Sequence, residues 1–189
     1  MKKSLSLLAI VLACAVMLTG CLTCEKKDYV YTLNKDGSVN LTITYYNIMS
    51  SYSGNEDDDS ITPQSTLEDD YNDLMTNYIG GSQPENDYKN AIVESKRLYE
   101  DNGKLNGEVK LKFMNLEDAG LYANKKHKLI IKDFCTSFSE TLSSTNGENN
   151  GVNPFVIWDI KSTKLVYTTS VSSPYEESNS SLLSRWKRR

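Results

Sequence analysis

The sequence has a single histidine and none of the short motifs that mark familiar catalytic sites. His127 stands in a basic run, 125–128, with no second histidine to complete a metal-binding pair. A serine hydrolase needs a serine beside a positioned base, and the chain has no G-x-S-x-G motif. It also has no phosphate-binding loop and no G-x-G-x-x-G run. We therefore predict no catalytic residue, no metal site, no cofactor and no enzyme activity. An enzyme whose carboxylates converge from distant positions remains the alternative.

Long apolar runs are missing everywhere except at the beginning of the chain. After Lys2 and Lys3, an apolar stretch extends to Leu18. This stretch is shorter than the roughly 20 residues that a helix needs to cross a bilayer. A positive start, a short apolar segment and small residues before a cleavage point are typical of a secretory signal.

The end of that stretch, Leu18-Thr19-Gly20-Cys21, resembles the lipobox of bacterial lipoproteins. The resemblance implies removal of residues 1–20 as a signal peptide, with S-diacylglycerol and an N-acyl chain on Cys21. Two or three acyl chains anchor a protein stably where one does not. The alternatives are an ordinary signal peptide followed by a structural cysteine, and a rival box ending at Cys14 that leaves too short an apolar segment. The resemblance predicts a lipid-anchored protein of the bacterial cell envelope, outside the cytoplasm. Leu22, rather than an aspartate, favours the outer membrane if the organism has one.

Cysteine is scarce, with four residues in the whole chain. Removal of Cys14 with the signal and lipidation of Cys21 leave Cys24 and Cys135. Two cysteines in an oxidising envelope could form one disulfide. Two free thiols in a reducing niche are the alternative.

The chain also lacks an excess of positive charge. Its formal net charge is −4, and loss of Lys2 and Lys3 with the signal takes the mature chain to −6. An acidic exported domain repels phosphates, so nucleic acid is excluded as a partner. The length that remains fits one domain with its own core.

What the sequence does contain is a series of hairpin patterns. Apolar and polar residues alternate over 39–46, after the turn residues Asp36-Gly37, which predicts a strand with one buried face. A second hairpin is predicted over 91–113, and shorter strands follow in 129–171.

Two helices are predicted between these strands. Residues 65–79 begin with a Ser65-Thr66-Leu67-Glu68 capping box and carry one apolar stripe. A short helix is predicted over 116–122, with Asn115 as its N-cap. We therefore expect an α+β fold: one antiparallel, curved sheet of about eight strands in hairpins, with helix 65–79 packed on it.

The ends of the chain are predicted to lie outside this single domain, which we place at 29–171. Residues 21–28 are expected to be a lipidated tether, and 172–189 a flexible Ser-rich tail with a basic end. That end could contact a membrane or anionic polymer, or could be a disordered terminus; its residues are Arg185, Trp186, Lys187, Arg188 and Arg189. The acidic run 55–60 could hold Ca²⁺, but it lacks the spaced ligand pattern of a calcium loop, so a solvated loop is expected.

A second resemblance uses short motifs within the domain. The lipid-bearing Cys21, Asp36-Gly37-Ser38 in the first hairpin, and Ser144-Thr145-Asn146-Gly147 before Val156-Ile157-Trp158 are similar to envelope lipoproteins of the mycobacterial LppM type. Those proteins typically add a C-terminal transmembrane helix, which this sequence does not show. The resemblance implies an envelope-associated binding role and identifies no catalytic residue.

Together these features predict a membrane-anchored lipoprotein that serves as a non-catalytic binding or assembly module for a protein or glycan partner. An exposed groove lined by several tyrosines, at the open face of the sheet, would favour this binding role. A purely structural surface lipoprotein is a further alternative.

Overall fold

The structure, a computed structural model, describes residues 20–52, 62–83, 85–126, 128–132, 140–149, 151, 155–172 and 178–188. The signal segment before Gly20, the acidic run 55–60, His127, Cys135 and Arg189 lie outside the described residues.

Twelve strands and two α-helices are described, and their bounds are as follows. The strands are β1 Gly20–Thr23, β2 Lys26–Leu33, β3 Val39–Tyr46, β4 Met49–Tyr52, β5 Ile92–Asp101, β6 Lys104–Phe113, β7 Leu121–Ala123, β8 Lys128–Lys132, β9 Glu140–Thr145, β10 Phe155–Asp159, β11 Lys164–Val171 and β12 Asn179–Ser181. The α-helices are α1 Pro63–Asp73 and α2 Leu183–Trp186. α1 continues as a π-helical segment, Leu74–Ile79, and a separate 3₁₀ turn spans Glu85–Asp87.

These strands form three antiparallel sheets. The largest has six strands in the order β5-β6-β3-β2-β11-β9, and the two smaller sheets are β1-β4-β12 and β10-β8-β7. The α+β class with antiparallel pairing is confirmed. The expectation of a single eight-stranded sheet is wrong, because the chain distributes its short strands over two additional sheets.

The first two sheets are joined by one bent hairpin, residues 20–52. Its pairing runs from Leu33 opposite Val39 to Lys26 opposite Tyr46, and resumes with Thr23 opposite Met49. At the bend, Asn47 has a φ of 54°, a left-handed conformation that asparagine tolerates better than most residues. The residues expected to form a tether, 21–28, therefore belong largely to β1 and β2.

The closed end of the bent hairpin is the turn predicted from Asp36-Gly37. Gly37 has a φ of 87°, which a glycine adopts without steric cost. The Ser38 amide donates to a carboxylate oxygen of Asp36 at 3.0 Å. The local turn chemistry thus fixes the register of β2 against β3.

A first core fills the space between the six-stranded sheet and the β10-β8-β7 sheet. The large sheet contributes three buried tyrosines, and Tyr29 stacks on Tyr167 with ring centroids 4.5 Å apart. The small sheet contributes Leu129, Val156 and Trp158. Burial of such large side chains contributes about 1.5–3 kcal/mol each, so this interface is a main source of stability.

A second core lies between α1 and the β1-β4-β12 sheet. Its buried members are Ile48, Tyr71, Leu74, Leu105 and Leu182, with Leu22 and Leu67 packed against them. The predicted helix over 65–79 is thus present, but it packs chiefly on the β1-β4-β12 sheet and on the adjoining end of the six-stranded sheet.

The start of α1 differs from the sequence prediction by a few residues. The N-cap is Thr62, whose hydroxyl accepts from the Ser65 amide at 3.1 Å, while the Ser65 hydroxyl accepts from the Thr62 amide at 2.9 Å. Pro63 at the first helical position is preset for the helix. The capping box is therefore Thr62 with Ser65, and the predicted box from Ser65 to Glu68 is wrong.

The short helix expected over 116–122 is absent, and turns followed by β7 take its place. Asn115 does cap the turn, since its side-chain oxygen accepts from the Asp118 amide at 2.9 Å. Gly120, with a φ of 72°, then redirects the chain. Leu121 enters the first core as part of a strand because that position buries it completely against β8.

The segment after Ser172 also differs from the flexible tail that we expected. β12 pairs with β4, and α2 follows it. Leu182 is fully buried in the second core, and Trp186 packs against the same cluster. Apolar residues in a Ser-rich segment are therefore enough to dock it.

The buried position of Leu182 gives a direct test of this docking. Leu182→Ala should lower the free energy of unfolding by about 2–5 kcal/mol, because it removes buried methyl groups and leaves a cavity. Ser184→Ala, at an exposed position two residues away, is the matched control and should change stability little. Urea unfolding of both variants measures the difference; equal stability of the two would contradict a docked C-terminal segment.

Candidate binding face

The six-stranded sheet has one buried face and one face with partly exposed side chains. Along β3, Val39, Leu41 and Ile43 are buried, while the alternate residues Asn40, Thr42 and Thr44 remain partly exposed. The strand register carries this alternation across the sheet. We call the second surface the open face; it is formed by the even-numbered positions of β2, β3, β11 and β6 from 108 on, and by positions 92, 95, 97, 99 and 101 of β5.

The open face carries more cations than carboxylates. Five basic residues and three acidic residues belong to it: Lys26, Arg97, Lys110, Lys112, Lys164, Asp28, Asp101 and Glu108. This local excess of two positive charges stands against the formal charge of −4 for the whole chain. Charge of the opposite sign is therefore concentrated on the rest of the molecule.

One carboxylate of the open face is fixed by two hydroxyl groups. Tyr46 and Thr168, on the strands at either side of β2, each donate to Asp28 at 2.7 Å. Partial burial raises the pKa of Tyr46 to about 12, and its hydrogen bond to Asp28 acts in the same direction. Asp28 is thus held in a defined position by neighbours on both sides.

Basic side chains cover the aromatic rings of the open face. The Lys26 ammonium lies 4.2 Å from the centroid of Tyr46, and the Arg97 guanidinium 5.1 Å from that of Tyr99. Arg97 also donates to Glu108 at 2.8 Å, which holds the pKa of Glu108 below its ordinary value. Cation–π contacts of this kind contribute about 0.5–1 kcal/mol at exposed sites. Apart from Val30, Val166 and the half-exposed Ile92, the face consequently offers charges and hydroxyl groups.

A second polar cluster lies on the buried face of the same sheet. The Glu140 side chain is fully buried and forms an ion pair with Lys27. Thr169 donates to Glu140 at 3.1 Å and the Tyr29 hydroxyl at 3.4 Å. Such a pair is costly to break because removal of one partner leaves a buried charge. Its hydrogen bonds join β2, β9 and β11, so we assign it a structural role.

A dispersed carboxylate site, the enzyme alternative, would place a perturbed carboxyl group in a cavity. Burial raises the pKa of Asp70, although the Ser50 hydroxyl donates to it at 2.6 Å. The Asp70 carboxyl group lies between α1 and β4. A cavity of about 380 Å³ lies elsewhere, lined by Gly147, Glu148, Asn149, Phe155 and Ile157. Within the described ranges, no group of three or more histidine, cysteine or acidic residues is arranged to hold a metal ion.

Two of the predicted cysteine sites, Cys21 and Cys24, fall in the bent hairpin. Cys21 lies in β1 opposite Ser51. Cys24 is buried, and burial raises the pKa of its thiol form to about 11, which makes that thiol a poor nucleophile at neutral pH. The disulfide between Cys24 and Cys135 stays a prediction, since Cys135 lies outside the described part of the chain.

The basic end of the chain is docked on the domain. Arg185 pairs with Glu68 on α1, and Lys187 pairs with Glu100 on β5 at 2.7 Å. Two of the four cations expected to touch a membrane are thus already engaged with carboxylates. The membrane contact of 185–189 stays a prediction.

Sequence reasoning missed most of the open face. The alternation over 39–46 identified its central strand, but the Asp28 and Thr168 pair is separated by 140 positions. Tyr46 and Tyr99 are the tyrosines that the strand register places on the open face. No local pattern signals such long-range pairs.

Comparison with protein-family models, with curated proteins and with solved structures gives no match for this chain. The resemblance to lipoproteins of the LppM type stays a prediction. In the part of the chain that the structure covers, no helix combines the length and the apolar composition required to cross a bilayer.

The raised pKa of Asp70 predicts how stability depends on pH. Because burial favours the protonated form of Asp70, ionisation of this carboxyl group lowers the stability of the folded state at pH values above its folded pKa. Below the pKa of the unfolded state, near 3.8, the group is protonated in both states and the loss of stability is absent. Asp70→Asn keeps an oxygen that can accept from Ser50. The variant should therefore be more stable than the native chain at pH 7, and this advantage should shrink as the pH falls through the folded pKa towards 3.8.

Urea unfolding at a series of pH values measures this advantage. Asp69→Asn, on the exposed side of the same helical turn, is the control and should give a much smaller change. A variant at Asp70 that is less stable than the native chain at pH 7 would show that the ionised form is favoured there.

Proposed function

We propose that this chain is a lipid-anchored protein of the bacterial cell envelope that acts as a non-catalytic binding module, with the open face as its contact surface for an acidic glycan. The observation that supports the proposal best is the excess of cations on the open face of an otherwise acidic chain. Opposite charges across an interface speed the encounter and select the partner.

The anchor is inferred from the sequence at the start of the mature chain. Leu18-Thr19-Gly20 precedes Cys21 in the order that a lipobox requires. Diacylglycerol on the thiol and an acyl chain on the new amine would together hold the domain at a bilayer surface. This places the open face outside the cytoplasm, where envelope glycans are available.

A glycan suits the chemistry of the open face better than an apolar protein surface does. Specific protein interfaces depend on buried aromatic and aliphatic anchors. Here Tyr46 and Tyr99 are covered by Lys26 and Arg97. The remaining groups are mostly hydroxyls, ammonium groups and fixed carboxylates, which hydrogen-bond to sugar hydroxyls and attract uronate or phosphate groups.

Removal of the proposed lipidation site tests the anchor. In cells, Cys21→Ser should block lipid transfer, so the chain should lose incorporation of labelled palmitate and move from the membrane fraction to the soluble fraction. Cys24→Ser, three residues away, should retain both properties. Unchanged palmitate labelling and membrane partition of Cys21→Ser would contradict the anchor.

Charge reversal on the open face tests the contact surface. Lys110→Glu with Lys112→Glu should weaken binding of the purified chain to polygalacturonate by at least about tenfold, because two attractive charges become repulsive. Lys35→Glu with Lys161→Glu makes the same net change at exposed turns and should bind nearly as the native chain does.

Binding should also weaken as ionic strength rises, since exposed charges are screened over about 8 Å at 0.15 M salt. Titration calorimetry with polygalacturonate, neutral dextran and poly-glutamate separates the partner classes. Tighter binding to poly-glutamate than to polygalacturonate would reassign the face to an acidic protein. Equal weakening by both pairs of substitutions would exclude the open face.

A further inference from the structure

The first residues of the mature chain are part of the fold. β1 pairs with β4 over its whole length: Cys21 lies opposite Ser51, Leu22 opposite Ser50 and Thr23 opposite Met49. The Leu22 side chain packs against the second core. No free segment therefore separates Cys21 from the folded body.

This arrangement differs from that of a lipoprotein on a flexible tether. Eight disordered residues, the number expected over 21–28, would span about 16 Å and would let the domain rotate above the bilayer. In the structure those positions are occupied by β1, the bend and the start of β2. A lipid on Cys21 would consequently be attached to the end of a sheet.

We propose that the folded body is held directly against the lipid bilayer in one preferred orientation, with the β1-β4 end of the bent hairpin at the membrane and the turn at Asp36-Gly37 pointing away. The inference rests on lipidation of Cys21, which is part of the proposed function. Beyond lipidation, it states that no flexible tether separates Cys21 from the domain and that the domain therefore has a fixed direction relative to the bilayer.

The bent hairpin sets the distance between the two ends. Cys21 and Asp36 are fifteen positions apart, and at about 3.3 Å per residue their strands could reach at most about 50 Å. The bend at Asn47 shortens this reach. The second core and α1 lie at the membrane end, whereas the β10-β8-β7 sheet lies on the half that points away.

This orientation also decides how a partner meets the open face. β2 and β3 run from the membrane end of the hairpin to its far end. The open face is therefore roughly perpendicular to the membrane surface and is directed sideways. Tyr46 and Lys26 lie at its membrane end, and Thr32 and Asn40 at its far end. A long envelope polymer can reach such a surface from the side without displacing the anchor.

Energy transfer to lipids tests the orientation with the full lipidated chain in vesicles. A donor fluorophore is placed through an unnatural amino acid either at Gln64, on the first turn of α1, or at Lys35, beside the distal turn; both positions are exposed. The acceptor is a headgroup-labelled lipid. Transfer from position 64 should exceed transfer from position 35 several-fold, because transfer falls steeply with distance.

A matched linker variant supplies the control. Insertion of about twelve Gly and Ser residues between Cys21 and Leu22 keeps the lipobox but restores a flexible tether. The difference between the two donor positions should then largely disappear. Equal transfer from both positions in the native chain, or a difference that the linker leaves unchanged, would overturn the proposal.

Labelling with palmitate, measured on the same samples, distinguishes a failure of the lipid anchor from a failure of the fixed orientation. A chain that takes up palmitate but shows no preferred orientation overturns only the fixed attachment. A chain that takes up no palmitate overturns the anchor, and the orientation with it.

Discussion

The backbone pairing of the bent hairpin, residues 20–52, is the constraint on which the rest of the structure depends. It begins at Gly20 opposite Tyr52 and ends at the turn around Gly37, so one continuous hairpin takes part in two sheets. Its bend at Asn47 divides the apolar residues between two cores. The same hairpin joins the proposed anchor to the proposed contact surface.

Alternation along β2 and β3 explains why the molecule has two unlike faces. Every second side chain is directed into the first core, and the residues between them are mostly threonines and charged groups. The exception on the inner face is Lys27 with Glu140, a buried ion pair that Thr169 and Tyr29 complete. Burial of this pair carries a desolvation cost, and its contacts tie β9 to β11 through Thr169 and to β2 through Lys27 and Tyr29.

Local signals in the sequence were sufficient for the elements that depend on neighbouring residues. Asp36-Gly37 predicted the first turn, and the apolar stripe predicted the helix, because both are decided within a few positions. The number of sheets could not be predicted, since it depends on pairings such as β12 with β4 that join distant segments. The docking of Leu182 and the partners of Asp28 were missed for the same reason. Residues 21–23 were predicted to be part of the tether, but they belong to β1, where Leu22 packs against the second core.

Lipidation of Cys21 underlies both the proposed attachment to the bilayer and the proposed orientation of the folded body. The mass of the mature N-terminus therefore gives the decisive measurement. Mass spectrometry of the chain extracted from membranes should find a first peptide that begins at Cys21 and carries a diacylglyceryl group, with an N-acyl chain where the cell adds one. A first peptide that retains residues before Cys21, or one that begins there with an unmodified thiol, would contradict the account.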